Sequence, residues 1–360
     1  MFPTLISLLV LGFLIVVHEV GHMVVARRAG VRILRFSVGF GPRLFAWKRG
    51  ETEYAVSLIP LGGYVKMAGE QRTKEAYEPW EYLAKPVGTR AAIVFAGLFV
   101  NYLVAILTLW IVFLIGYPEL LPIVGKVIDG MPAQAAGFQK DDRIRSVGET
   151  PIHTWDEMTK IIYRAPNQPL AFVVERGGQP QTLTVIPKPK ETKDELGRPR
   201  TIGLIGIAPS GAFEPYRVGP VAAIRRTFQQ HAEWTKQTLL ALWSLATGKL
   251  PLRESVTGPI GIIYLTSEAV RLGIAPLLFL VSLFSLSLAI FNVFPIPILD
   301  GGHLFFLVVE KLRGRPLSLN IQERSAQVSF VLLLAFVLMI CINDLSRFGV
   351  LDKVVGWVRR

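Results

Sequence analysis

Cysteine is almost absent. Cys341 is the only one in 360 residues, so no disulfide can form within the chain, and thiols say nothing about the redox state of the compartment. Acidic side chains are also scarce, 27 against 39 Lys and Arg. The net charge of +12 is not gathered into a basic run with interleaved aromatics, which argues against a nucleic-acid partner and leaves anionic lipid and membrane orientation to account for it. No basic residue precedes the first apolar run, whereas Arg27 and Arg28 follow it directly. A cleavable signal peptide has the opposite arrangement, so this run is expected to be a retained span. The chain also lacks internal repeats and low-complexity tracts, which excludes solenoid architectures.

Apolar side chains, by contrast, make up 51% of the chain, more than one soluble core requires. Four runs, about residues 4–26, 91–116, 276–299 and 326–342, are long enough or nearly so to cross a bilayer. Residues 27–90 carry 12 Lys/Arg against 6 Asp/Glu, and residues 117–275 carry 19 against 15. The positive-inside bias therefore puts 27–90 in the cytoplasm, with both termini and 117–275 on the outer face.

The first run contains "LIVVHEVGHMVV", Leu14 to Val25. An ionised side chain at the centre of a membrane helix costs about 2.5–3.5 kcal/mol on insertion scales, so something must offset two histidines and a glutamate there. Spacing suggests what does. His18 and His22 are four apart and share one helix face, and Glu19 stands about 100° round from His18. This is H-E-x-x-H, the pattern in which two imidazoles bind zinc and the glutamate acts as general base.

Catalytic zinc takes a third protein ligand and keeps one position open. "FNVFPIPILDGGHLF" supplies candidates, because two prolines must interrupt the third span just before Asp300, and broken helix at membrane depth lines cavities. Asp300 is expected to close that span and offer an oxygen. His303 competes for the role, with an outer position around the metal or at a helix terminus as its alternative. His153 and His231 are expected to be solvated or packed.

Between the first two spans, "VRILRFSVGFGPRLFAWKRGETEYAVSLIPLGGYVKM" alternates with strand period and is broken by Gly and Pro, which predicts a hairpin or small sheet. Residues 122–189 read as a small β-rich domain, with a helix over "TWDEMTKIIYRA" opened by a Thr154–Glu157 capping box. "KPKETKDELGRPR" reads as a linker or long loop. Val221 to Ala246 is helix-periodic and suits either an outer membrane-surface helix, with Trp234 and Trp243 at headgroup depth, or a docked helix. The chain thus divides into 1–120, 121–190, 191–275 and 276–360.

Taken together, "HEVGH", "GFGP", "PLGGYVKM", "TGPIGI" and "NVFPIPILDGGH" run in order from end to end of the chain. In this the sequence resembles the site-2 protease family of intramembrane zinc metalloproteases, in its bacterial sigma-E-regulating branch. The resemblance implies Zn2+ held by His18, His22 and Asp300, with Glu19 as catalytic base and substrate contacts around Asn292, Pro295 and Pro297. It implies a polytopic α-helical membrane protein of about four spans, with a membrane-associated β-hairpin. "GMPAQAAGFQKDDRI", Gly130 to Ile144, is similar to the turn that opens a protease-type PDZ domain. Enterobacterial members carry two such domains, and here there is room for one.

Implied partners are single-span membrane proteins, such as a pre-trimmed anti-sigma factor or remnant signal peptides, and an extended peptide or free C-terminus at the PDZ domain. The implied location is the inner membrane, with the PDZ domain periplasmic. Where family members often show Gly-Pro in the second span this chain has Gly97–Leu98, and only a local packing change is expected. Two rival readings are a metal transporter or sensor, which should show inverted repeats, and a non-catalytic PDZ scaffold, which should show a degenerate metal motif.

Overall fold

A computed structural model describes residues 2–71, 77–193, 199–249 and 256–347. Four helices in it are long and apolar enough to cross a membrane. The first, α1 (Phe2–Arg28), carries both histidines of the motif and ends on Arg27 and Arg28, the charge that a helix C-terminus favours. It leads into the expected hairpin. Strands β1 (Ile33–Arg49) and β2 (Thr52–Met67) are antiparallel with repeated register shifts, as the glycines and prolines of this stretch dictate. The shifts bend the ribbon so that Phe36, Val65 and Met67 at its base are buried with Ala26 and Ile93, while Phe45 and Trp47 at its tip are exposed.

The second long helix is α2 (Val87–Ile115). Beyond it lies the β-rich unit: β3 (Tyr117–Leu120), β4 (Val124–Val127), α3 (Pro132–Ala135), β5 (Arg143–Val147), β6 (Thr150–Pro151), α4 (Trp155–Arg164), β7 (Leu170–Arg176), β8 (Gln179–Val185), β9 (Lys188–Lys193), β10 (Pro199–Leu204), β11 (Ile207–Pro209) and β12 (Phe213–Tyr216). Its main sheet is antiparallel in the order β6-β5-β7-β8. Ile144, Phe172 and Val174 project from that sheet onto Met158 and Ile162 of α4, and Phe138 meets Phe172 edge-on at 5.3 Å. The Thr154–Glu157 capping box forms as read from the sequence. Asp142 is fully buried and accepts from Arg176 Nε at 2.7 Å and Nη2 at 2.8 Å, which pins the turn after α3 to β7.

The described ends of the stretch read as a linker are strands, and residues 194–198 between them lie outside the described residues. Lys188–Lys193 and Pro199–Leu204 pair as an antiparallel ladder, β9 with β10. Main-chain hydrogen bonds need no apolar side chain, so a charged strand leaves no alternation to detect.

The remaining helices are α5 (Pro220–Ala246), α6 (Pro259–Leu272), α7 (Ile274–Val293), α8 (Asp300–Arg313) and α9 (Leu319–Arg347). Helix α5 exposes Val221, Phe228 and Trp243 and buries Ala223, Thr227 and His231. Trp234 does not face headgroups as expected; it turns inward onto Phe279 at 5.1 Å, because helix period puts it near the His231 face. The start of α6 is held by Asp344 of α9, whose carboxylate accepts from the Gly258 and Gly261 amides at 3.2 and 2.9 Å. An anion there satisfies the orphan N–H groups of a helix N-terminus inside an apolar bundle.

Candidate active site

The third span does not run to Asp300. Helix α7 stops at Val293, Phe294 is extended ahead of Pro295, and Asp300 opens α8. A residue before proline is pushed out of helical geometry, and two prolines two residues apart keep the chain open until Leu299. Asp300 thereby sits at the positive end of a new helix, where its charge is favoured. The two glycines after it are steric necessities. A Cβ on Gly301 would lie 2.2 Å from the Phe294 carbonyl oxygen, and one on Gly302 2.3 Å from that of Ile296.

This return brings Asp300 onto α1. Its Oδ2 lies 3.0 Å from His18 Nε2 and 3.4 Å from His22 Nε2, and the two Nε2 atoms are 3.1 Å apart. The edges of a tetrahedral zinc site with bonds of about 2.0–2.1 Å are ~3.3 Å, so the three donors outline one face of such a site. Asp300 Oδ2 is buried and makes no aligned hydrogen bond among the described residues, as expected of an atom aimed at a shared centre rather than at an N–H. The donor set fits zinc.

Both imidazoles are turned by α2. His22 Nδ1 bonds to the Ile93 carbonyl at 2.9 Å, which leaves Nε2 with a free lone pair. His18 Nδ1 lies 3.2 Å from the Asn101 side-chain amide, whose Oδ1 has no partner among the described residues. Once Nε2 is a ligand, Nδ1 carries the proton, and a half-turn of the amide gives it the oxygen it needs. Glycine lets the helices come this close. A Cβ on Gly97 would stand 2.4 Å from His22 Nε2, and one on Gly21 2.7 Å from the Ala96 oxygen.

Glu19 faces the same cavity, of about 750 Å³, as the three donors. Strand β2 lies over it, with Gly63 at its Cγ and the Val65 amide donating to its carboxylate. His303, in the first turn of α8, lines the cavity but is outside the donor group. Asn292 is in the last turn of α7 and Pro295 and Pro297 in the break; all three precede Asp300 and lie outside the cavity wall. His153 is exposed beside Glu157, and His231 is packed between Tyr102 and Trp234.

Sequence reading missed the Ile93 carbonyl, which no side chain announces, and Gly97, whose neighbours were expected to matter only for packing. A small residue aligned with H-E-x-x-H across two adjacent spans was the available signal.

The family model "Peptidase family M50" matches residues 6–336. The zinc metalloprotease RasP of Oceanobacillus iheyensis is 30% identical over 94% of this chain and 98% of its own. The regulator of sigma-E protease RseP of Escherichia coli is 32% identical over 94% and 97%. A Rhizobium meliloti relative is 36% identical over 96% of each chain. Among solved structures, the PDZ domain of the SdrC-like protein from Listeria monocytogenes covers 26% of this chain and 88% of that one, at 21% identity and a TM-score of 0.18. With the family model matching residues 6–336 and relatives at 30–36% identity covered almost end to end, the chain belongs to peptidase family M50, the site-2 type of zinc metalloprotease.

Proposed function

We propose that the protein hydrolyses peptide bonds within or beside the transmembrane segment of single-span membrane proteins. The observation that carries this reading is the meeting of His18, His22 and Asp300 on apolar helices around a cavity that also holds Glu19. His18, His22 and Asp300 hold the zinc, which when bound polarises a carbonyl and brings a water towards a neutral pKa. Glu19 takes the proton of the attacking water and delivers it to the leaving amine. The Val65 N–H holds the carboxylate and Gly63 leaves room for its stem, so that Glu19 stands beside the donors.

The substrate helix must unwind to be cut, because its carbonyls are otherwise hydrogen-bonded. The Pro295–Pro297 break and Asn292 contact such a segment, and the edge of β2 over Glu19 offers main-chain partners. The charge asymmetry of the loops supports N- and C-termini and the β-rich unit on the periplasmic side of an inner membrane. That unit, read as a single PDZ domain, takes an extended peptide or free C-terminus, or screens substrates by size. Because the Escherichia coli relative is named a regulator of sigma-E, a pre-trimmed anti-sigma factor is our first substrate to try, with remnant signal peptides second.

The test is cleavage of a model single-span substrate by purified protein, with zinc counted. Wild type should cut and hold one zinc, and Asp300→Ala should lose both. Retention of zinc and activity by Asp300→Ala would remove Asp300 from the site.

A further inference from the structure

Arg90 and Glu310 form a bidentate ion pair between the first turn of α2 and the last turn of α8. Arg90 Nη1 donates to Glu310 Oε2 at 3.2 Å and Nη2 to Oε1, while Nε donates to the Lys85 carbonyl at 3.0 Å. Both side chains are largely buried, at 7% and 14% exposure. Removing one partner of such a pair strands a charge, whereas replacing both by apolar groups is often neutral, so a pair retained here needs a reason other than stability.

Position supplies the reason. Arg90 is one helical turn before Ile93, whose carbonyl orients His22. Glu310 is at the far end of the helix that Asp300 opens, about 15 Å along its axis. Helix α8 packs its first glycines against the end of α7 and meets α1 through Asp300, and Glu310 ties its other end to α2. The ion pair therefore fixes the end of the helix that lies away from the metal donors.

We infer that Arg90 and Glu310 are positioning residues that hold α8 in register with α2, so that the Asp300 oxygen meets imidazoles whose orientation α2 has set. This rests on the zinc-protease reading above.

The experiment uses the full chain in detergent, with zinc affinity measured by chelator competition on monodisperse protein, beside kcat and KM. Glu310→Gln keeps the shape of the acceptor and removes its charge, and Arg90→Lys keeps the charge and removes the fork. Glu310→Gln should weaken zinc by more than twofold, with kcat falling and KM unchanged. Arg90→Lys should fall between it and wild type, and the double exchange Arg90→Glu with Glu310→Arg should recover part of the loss. Glu119→Gln breaks the partly buried Glu119–Arg226 pair of the β-rich unit and controls for general destabilisation; it should leave zinc affinity unchanged. Zinc affinity within twofold of wild type in Glu310→Gln, or an equal loss in Glu119→Gln, overturns the inference. Failure of wild type itself to bind zinc overturns the protease reading instead.

Discussion

Asp300 Oδ2 stands 3.0 Å from His18 Nε2, although one opens a helix near the end of the chain and the other belongs to the first span. The glycines and prolines around them make that meeting possible, and Gly97 and Asn101 of α2 set how the two imidazoles stand in it.

Gly97→Ala should disable the site without disturbing the spans. Its methyl group would arrive 2.4 Å from His22 Nε2 and 2.7 Å from His18 Cε1, so an imidazole must leave its position. Zinc affinity should drop by about 10–100-fold. Zinc stoichiometry under limiting metal checks this, with the melting temperature of the metal-free protein expected to change little.

Asn101→Ala should weaken zinc through His18 alone. The Nδ1–H loses its Asn101 partner, and the ring gains freedom to turn. A loss of roughly tenfold in zinc affinity is expected. Asn101→Asp, which offers an oxygen to the same N–H, should retain more affinity than the alanine variant.

The hairpin should loosen in acid. Hydrogen bonds from Arg35 and then Arg43 hold the Glu53 carboxyl below its ordinary value. A depressed carboxylate contributes stability that is present above its unfolded pKa and is lost as pH falls through the folded one. Hydrogen-exchange protection of β1 and β2 should therefore decline below about pH 4. Glu53→Gln should show weaker protection at neutral pH and no such decline.

Asp344→Ala should destabilise the bundle at the start of α6. It strands the buried Gly258 and Gly261 amides, each unsatisfied group costing about 1–3 kcal/mol. Thermal unfolding should shift down, and exchange at Gly261 and Ile262 should quicken before exchange elsewhere in α6.

Much of this was legible in the chain. Two histidines and a glutamate in an oily helix had to be reconciled with the membrane, and the i, i+4 spacing said how. The two prolines before Asp300 announced a break. What they did not announce was its direction. Sequence placed Asp300 at the end of a span, whereas it begins the next helix, because the close approach that Gly301 and Gly302 permit between α8 and the end of α7 is set by tertiary packing. The β9–β10 ladder was hidden by its charge, since strand alternation is a record of burial and this ladder is solvated. The Ile93 carbonyl and the Arg90–Glu310 pair depend on which helices touch, and nothing local to either residue encodes that.

The central claim is that Glu19 moves the proton while His18, His22 and Asp300 hold the metal. It is tested most directly by comparing wild type with Glu19→Gln on one trimmed single-span substrate, with bound zinc counted in both. The variant should retain zinc at the wild-type level and cleave at least about 10²-fold more slowly. Equal cleavage by the two proteins, or loss of zinc along with activity in Glu19→Gln, would contradict the account.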